Sequence, residues 1–286
     1  MIEPSQLKRR SIKKKHFPYK PFIAVFVVLG VTAGLWAMIK PQKITPVKQD
    51  TIASTKEVKS ATKTVEPAKT GKFKQFTNTE FVKFYSSFAY PNTTEITTPP
   101  TITGNEVADK RIQTIAESRG YKLRSAPVSP PVLLEDGFYI QQKALQSLLD
   151  MKAAAKKKGL SLVITASFRS IDEQRALFLP RLQQEGASPE SVAAGTADLA
   201  VEGVLKTVAA PGYSRHHNGF TIDLACGPIG GLAFLTTDCY KWLSDGNFAN
   251  AKEYGWIPSY PQGTSSTGPE PEPWEYVWVG KDALLE

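Results

Sequence analysis

His216 and Asp223 could together hold a borderline cation such as zinc, because imidazole nitrogen and carboxylate oxygen are both good ligands for it. They stand seven residues apart, an odd spacing that on one straight strand would send them to opposite faces. Asn218-Gly219 lies between them and offers a bend that relaxes the conflict. Past the bend, Thr221 and Asp223 share one face of a strand, while Phe220, Ile222 and Leu224 take the core face. An acid on the polar side of an otherwise apolar strand needs a partner. A metal is one; the other reading is a salt-bridged Asp beside a capping His. A second group, Glu270-Pro271-Glu272-Pro273-Trp274-Glu275, sets three carboxylates before a β-prone run. A carboxylate in an aromatic, partly dry setting has a raised pKa and can act as a general base; the alternative is a solvated acidic turn. A third stretch, Ser167-Phe168-Arg169-Ser170 with Gln174 further on, places an arginine at a strand-to-helix turn. There it can reach into a cleft, or sit on the surface beside an ordinary cap.

The elements that must position these groups follow from periodicity. Residues 140–158 are predicted helical, with Ile140, Ala144, Leu145, Leu148, Leu149 and Met151 as the apolar stripe and Gly159 as the stop. Leu160–Ala166 is predicted as a strand. Ser170-Ile171-Asp172-Glu173 is a capping box opening a helix through about Gln184. Residues 187–212 are Ala- and Gly-rich and ambiguous. Phe220–Ala225 reads as a strand, Thr237 caps a helix running to about Tyr254 before Gly255, and Tyr276–Gly280 reads as the last strand. Helices mixed with short, irregularly spaced strands predict an α+β fold with an antiparallel sheet.

Charge is unevenly distributed along the 286 residues. The first 75 carry 16 of the 35 Lys and Arg but only 4 of the 27 Asp and Glu, so the formal +8 belongs to the N-terminal part and the remainder is mildly acidic. A nucleic-acid-binding face on the folded part is therefore not expected. Phe22 to Ile39 is an uncharged 18-residue run, long enough as a helix to cross a bilayer core of about 30 Å. It follows the basic cluster Lys8, Arg9, Arg10, Lys13, Lys14, Lys15 and Lys20, which favours a cytoplasmic N-terminus. The competing reading, a cleaved signal peptide, suits neither the length of the run nor the poor cleavage site at Trp36–Lys40. The expected organisation is a basic tail (1–21), a single-pass anchor (22–39), a flexible linker (40–104) and one domain (105–286). Within the linker, 76–91 is either a small adhesive element or more tether. Cys226 and Cys239 are two buried thiols or one disulfide; a disulfide requires an oxidising compartment, as outside the membrane.

Taken together, the three chemical stretches resemble one family. Phe168-Arg169-Ser170 with Gln174, Ser214-x-His216-x-x-Gly219-x-Thr221-x-Asp223, and Glu272-x-Trp274-Glu275 are similar to the motifs of the D-alanyl-D-alanine and L,D-carboxypeptidases of bacterial cell walls, which include the vancomycin-resistance carboxypeptidases. The family pattern is Tyr/Phe-Arg-Ser, then Ser-x-His-x-x-Gly-x-Ala-x-Asp, then Glu-x-Trp-His. The resemblance implies a hedgehog/D,D-peptidase-type α+β fold and a zinc site with His216 and Asp223 as ligands. It implies Glu272 as general base and Arg169 as the group that binds the substrate carboxylate or stabilises the oxyanion, assisted by Ser170, Gln174 and Ser214. Two positions depart from the pattern: Thr221 stands where Ala is usual, and Glu275 stands where the third ligand, a His, is expected.

Only His16, His216 and His217 are present, so no other histidine replaces the missing ligand. Glu275 is expected to take that place. The added anion should make the ion a weaker Lewis acid and shift preference from Zn²⁺ toward harder metals such as Mn²⁺. The functional expectation is a metal-dependent carboxypeptidase, monomeric and held at the cell membrane, trimming D-amino-acid-terminated peptidoglycan peptides outside it. The alternative is a catalytically impaired, metal-free wall-binding module on the same fold.

Overall fold

The computed structural model describes residues 71–261 and 268–286. The basic tail, the anchor expected at 22–39 and residues 40–70 of the expected linker lie outside the described residues. Among the described residues no helix is long and apolar enough to cross a membrane.

The segment from 71 to 104, expected as linker, packs onto the domain. Lys74 N–H donates to Leu284 O at 2.9 Å, and Glu286 N–H donates to Lys72 O at 2.9 Å. Helix α1 (Asn78–Ser87) opens on a capping box between Thr77 and Glu80, a motif worth about 1 kcal/mol. Phe81 and Tyr85, four residues apart on one helix face, are its buried side chains. The Phe81 ring lies 4.9 Å from Phe76 and 5.3 Å from Phe248, and Tyr90 stacks on Phe220 at 5.6 Å. The Thr/Pro-rich stretch beyond has no helical period, yet its polar backbone is paired. Strand β1 (Thr93–Glu95) joins β2 (Ser125–Pro127) in an antiparallel ladder. The buried Asp109 carboxylate accepts the N–H groups of Ile102 (2.9 Å) and Thr103 (2.7 Å). Composition alone could not show those partners; the β-ladder's lies some thirty residues on, at Ser125–Pro127. Lys252 completes the attachment. Its fully buried ammonium donates to Lys74 O (2.8 Å) and Asn247 Oδ1 (2.6 Å) and lies 5.0 Å from the Phe76 and Phe81 rings.

Helix α2 (Glu106–Ser118) and a hairpin of β3 (Val132–Leu133) and β4 (Tyr139–Ile140) precede α3 (Gln142–Lys157). The buried stripe of α3 is Ala144, Leu148, Met151 and Ala155, and Gly159 beyond it has the left-handed φ of +74° that a stop requires. Leu149, expected in the stripe, is instead 45 % exposed, because it lies one position round from Leu148. Strand β5 (Leu162–Ala166) leads into α4 (Ile171–Gln184), whose Ser170/Glu173 capping box forms as expected. The ambiguous stretch resolves into the short helices α5 (Pro189–Ala193) and α6 (Asp198–Leu205). Then follow β6 (Thr221–Cys226), α7 (Asp238–Glu253), β7 (Trp256–Pro258) and β8 (Glu275–Trp278). Helix α7 breaks at residues 245–248, where Gly246, Asn247 and Phe248 have positive φ. Cys226 and Cys239 are disulfide-bonded, tying the end of β6 to the first turn of α7.

The main sheet runs β5-β6-β8-β7, antiparallel throughout, so the expected α+β class with an antiparallel sheet is observed. One core forms between the sheet, α1, α3 and α7; a second gathers α2, α4, α5 and α6. The chemically interesting residues lie where these two cores meet.

Candidate metal centre

Phe220, Ile222 and Leu224 are fully buried in the main core, so Thr221 and Asp223 face the other way, as the alternation predicts. The bend also forms. Residues Arg215–Asn218 make one turn of 3₁₀ helix, and Gly219 closes it with φ +75°. A Cβ there would meet Gln141 Cγ at 3.1 Å, so glycine suits this position on both counts. Ser214 Oγ accepts His216 N–H at 3.3 Å, the cap that starts the turn.

The strand register does the rest. Asp223 pairs with Glu275 across β6 and β8, and with Ala166 across β6 and β5. Directly opposed residues point to one face, so Asp223 and Glu275 stand side by side, an unfavourable arrangement for two anions unless a cation joins them. His216 supplies a third donor. Its Nδ1 lies 2.8 Å from Ser167 O, just past the end of β5. A carbonyl only accepts, so Nδ1 carries the proton and Nε2 presents its lone pair. That nitrogen lies 3.5 Å from Asp223 Oδ1 and 3.6 Å from Glu275 Oε2. Ligand atoms of His216, Asp223 and Glu275 all fall within 4.8 Å of one another, and the buried Asp223 Oδ1 has no hydrogen-bond partner among the described residues. Burial works against a charged His216, but Asp223 and then Glu275 outweigh it and hold the ring above its ordinary pKa. A proton on Nε2 would meet the same demand as a metal ion. The donor set therefore fits a divalent cation, one of the compositions zinc accepts.

Arg169, Gln174, Ser214, His216, Asp223, Glu272 and Glu275 line one cavity of about 120 Å³. Glu272 is pushed up to about 9, by burial first and then by the charges of Glu275 and Asp223. A cation held between those two would cancel their part of the shift. Arg169 Nη1 donates to Gln174 Oε1 at 2.8 Å, and Gln174, itself 1 % exposed, donates to Ala209 O at 2.6 Å. Gln174 thus fixes the arginine, and no described carboxylate forms an ion pair with Arg169. Ser170, expected at the substrate, is not part of the cavity lining: its hydroxyl is engaged in the capping box with Glu173. A capping serine and a substrate-facing serine look alike in sequence. His217 is no ligand either. Gly212 N–H donates to its Nε2 at 3.0 Å, so Nδ1–H donates to Arg169 O at 2.7 Å. Burial first pushes its pKa down to about 4, and the neutral ring braces the Arg169 backbone.

The model of the VanY family, described as D-alanyl-D-alanine carboxypeptidase, matches residues 137–281, a span that includes every candidate ligand and both candidate catalytic groups. The chain belongs to the VanY family. YodJ of Bacillus subtilis, named as a carboxypeptidase, is 33 % identical over 149 residues, covering 51 % of this chain and 48 % of that protein. A D-alanyl-D-alanine carboxypeptidase of Enterococcus faecalis is 26 % identical over 154 residues, covering 54 % and 53 %. The chain thus matches about half the length of each of these curated relatives. Among solved structures, the LdcB LD-carboxypeptidase is 30 % identical, with 51 % of this chain and 62 % of that chain covered, at a TM-score of 0.40. A zinc-complexed variant of a vancomycin-resistance D,D-pentapeptidase is 22 % identical, covering 57 % and 82 %, also at 0.40.

Sequence reasoning did not assign several side chains of this site. Arg124, Tyr121 and Tyr260 line the cavity, and Arg215 both lines it and pairs with Glu275. The signal for Arg215 was Glu275 itself: a carboxylate where an imidazole is expected, buried on a strand, calls for a cation.

Proposed function

We propose that the protein is a zinc-dependent carboxypeptidase that removes the terminal D-amino acid from peptidoglycan stem peptides. The observation that carries this reading is the convergence of His216 Nε2, Asp223 and Glu275 on one point of the cavity that also holds Glu272 and Arg169. His216, Asp223 and Glu275 would hold the ion. Bound there, zinc supplies Lewis acidity, polarising a peptide carbonyl and acidifying water. Arg169, held by Gln174, receives the free carboxylate of the substrate as a charge-assisted pair. Glu272 takes a proton from the attacking water and returns it to the leaving amine as the C–N bond breaks. Arg169 favours an exopeptidase, since an internal peptide bond offers no carboxylate to clamp.

The same proposal places the domain outside the cell membrane, tethered through residues 22–39. The Cys226–Cys239 disulfide supports an oxidising compartment, and a tether would raise the effective concentration of nearby wall substrate.

The test is metal content and product release. Purified protein is expected to carry about one zinc per chain and to release the terminal residue from D-Ala-D-Ala-ended peptides, with both lost on chelation and restored by zinc. Less than about a tenth of an equivalent after zinc loading, with no product, would leave a metal-free binding module.

A further inference from the structure

Arg215, the residue before His216, is buried, with a side chain only 4 % exposed. Its guanidinium lies 3.8 Å from the centre of the Tyr260 ring and 4.5 Å from that of Tyr85. Nη1 donates to Glu275 Oε1 at 3.2 Å and to Ser259 O at 3.3 Å. Glu275 is thereby divided: Oε1 faces the arginine, while Oε2 lies 3.6 Å from His216 Nε2, within the ligand cluster. A buried ion pair is poor evidence of a stability role, because packed apolar side chains often do as well. Two flat aromatic surfaces suit arginine specifically, since lysine is a point charge that cannot stack in this way.

Charge at the metal centre supplies the reason. With two imidazoles and one aspartate, a dication is left with a net charge of one. Exchanging an imidazole for Glu275 reduces that to zero, and Arg215 brings it back to one. We propose that Arg215 is a positioning residue that lets a carboxylate serve where the family's pattern has an imidazole: it holds Oε1, leaves Oε2 for the ion, and offsets the added negative charge. Tyr85, from α1, and Tyr260 hold the guanidinium in place. The proposal rests on the metal-dependent reading above.

The experiment measures zinc dissociation constants by competition with a chromophoric chelator, for the natural chain, Glu275→His, and Glu275→His combined with Arg215→Gln or Arg215→Lys. Histidine is the ligand the motif expects, so Glu275→His alone would tighten zinc binding if Arg215 were irrelevant. With Arg215 acting as proposed, that substitution leaves a buried guanidinium facing a dication, and affinity falls by at least about tenfold, as for like charges a few ångströms apart. Adding Arg215→Gln removes the repulsion and tightens binding by about tenfold or more. Adding Arg215→Lys keeps the charge and leaves the affinity as weak as in Glu275→His alone. A purely structural arginine predicts the reverse for Arg215→Gln, a further weakening, and that result overturns the proposal. Thermal unfolding confirms that each variant is folded. Where the histidine variants are not, the near-isosteric Glu275→Gln replaces Glu275→His in both backgrounds, and adding Arg215→Gln to it is expected to tighten zinc binding; unchanged or weaker binding overturns the proposal. If the natural chain binds no zinc, the metal-dependent reading fails. If it binds zinc and the combined Arg215→Gln variant is the weaker one, only the role of Arg215 fails.

Discussion

Replacing Phe81 by alanine tests whether the segment ahead of the family-matched region belongs to the folded unit. The Phe81 side chain is fully buried, with the rings of Phe76 and Phe248 at 4.9 and 5.3 Å and the Lys252 ammonium at 5.0 Å. Truncating such a ring removes its transfer free energy and leaves a cavity, together about 3–5 kcal/mol. For a domain of this size each kcal/mol moves the thermal midpoint by about 2–4 °C, so a fall of roughly 6–20 °C is expected. Urea unfolding followed by tryptophan fluorescence gives the free energy directly, and Val107→Ala, at a 63 % exposed position of α2, serves as the control. A loss below about 1 kcal/mol, as for a surface site, would mean that α1 is only loosely held and that 76–91 is better read as tether. The effect should also reach the metal centre. Tyr85 lies one turn beyond Phe81, with its ring 4.5 Å from the Arg215 guanidinium, so Phe81→Ala is expected to weaken zinc retention as well as the fold.

Burial pushes Lys252 down to about 8 from its ordinary 10.5, so between those values the unfolded chain binds the extra proton and raising the pH stabilises the fold. The stability difference between the natural chain and Lys252→Met should shift in favour of the natural chain by roughly 2 kcal/mol as the pH rises from about 7.5 to 9.5, and a pH-independent difference would show that the ammonium is not perturbed. Replacing both Cys226 and Cys239 by serine opens a loop whose ends are 13 residues apart and should cost about 3 kcal/mol in chemical unfolding; equal stability of the two proteins would remove the disulfide from the account. Gly219→Ala strains a residue at φ +75° and presses on Gln141, so a loss of about 1–2 kcal/mol with weaker zinc binding is expected, whereas wild-type zinc affinity would show that the bend does not set the position of His216.

The parts of the fold that could be read in advance carry periodicity together with punctuation. Helix α3 has its Ala144–Leu148–Met151 stripe and Gly159, α4 its Ser170/Glu173 box, and β6 its alternation after Gly219. Helix α1 was not legible because it buries only Phe81 and Tyr85 fully, and their partners, such as Phe248 and Arg215, lie far along the chain. The polar stretch 92–104 is ordered by backbone pairing with Ser125–Pro127 and by Asp109, neither of which leaves a local mark. Within the site, six of the expected groups converge around Arg169, while Ser170 is taken up by its own helix. Short α5 and α6 lack enough turns to show a period.

The third ligand position shows why single residues mislead about electrostatics. Read alone, Glu275 adds an anion to the cluster and predicts a dulled Lewis acid. In the fold its carboxylate is shared between two elements: the strand register sets it beside Asp223, and the 3₁₀ turn that presents His216 also presents Arg215. Because Arg215 and His216 are consecutive, one turn delivers both a candidate ligand and the countercharge. On the metal-dependent reading proposed above, the field at an ion held there would be a property of that turn and β8 together. Glu275, which stands where the family motif has a histidine, and Arg215, sixty residues earlier, then act as one electrostatic unit, separated in the chain only by the path of the backbone.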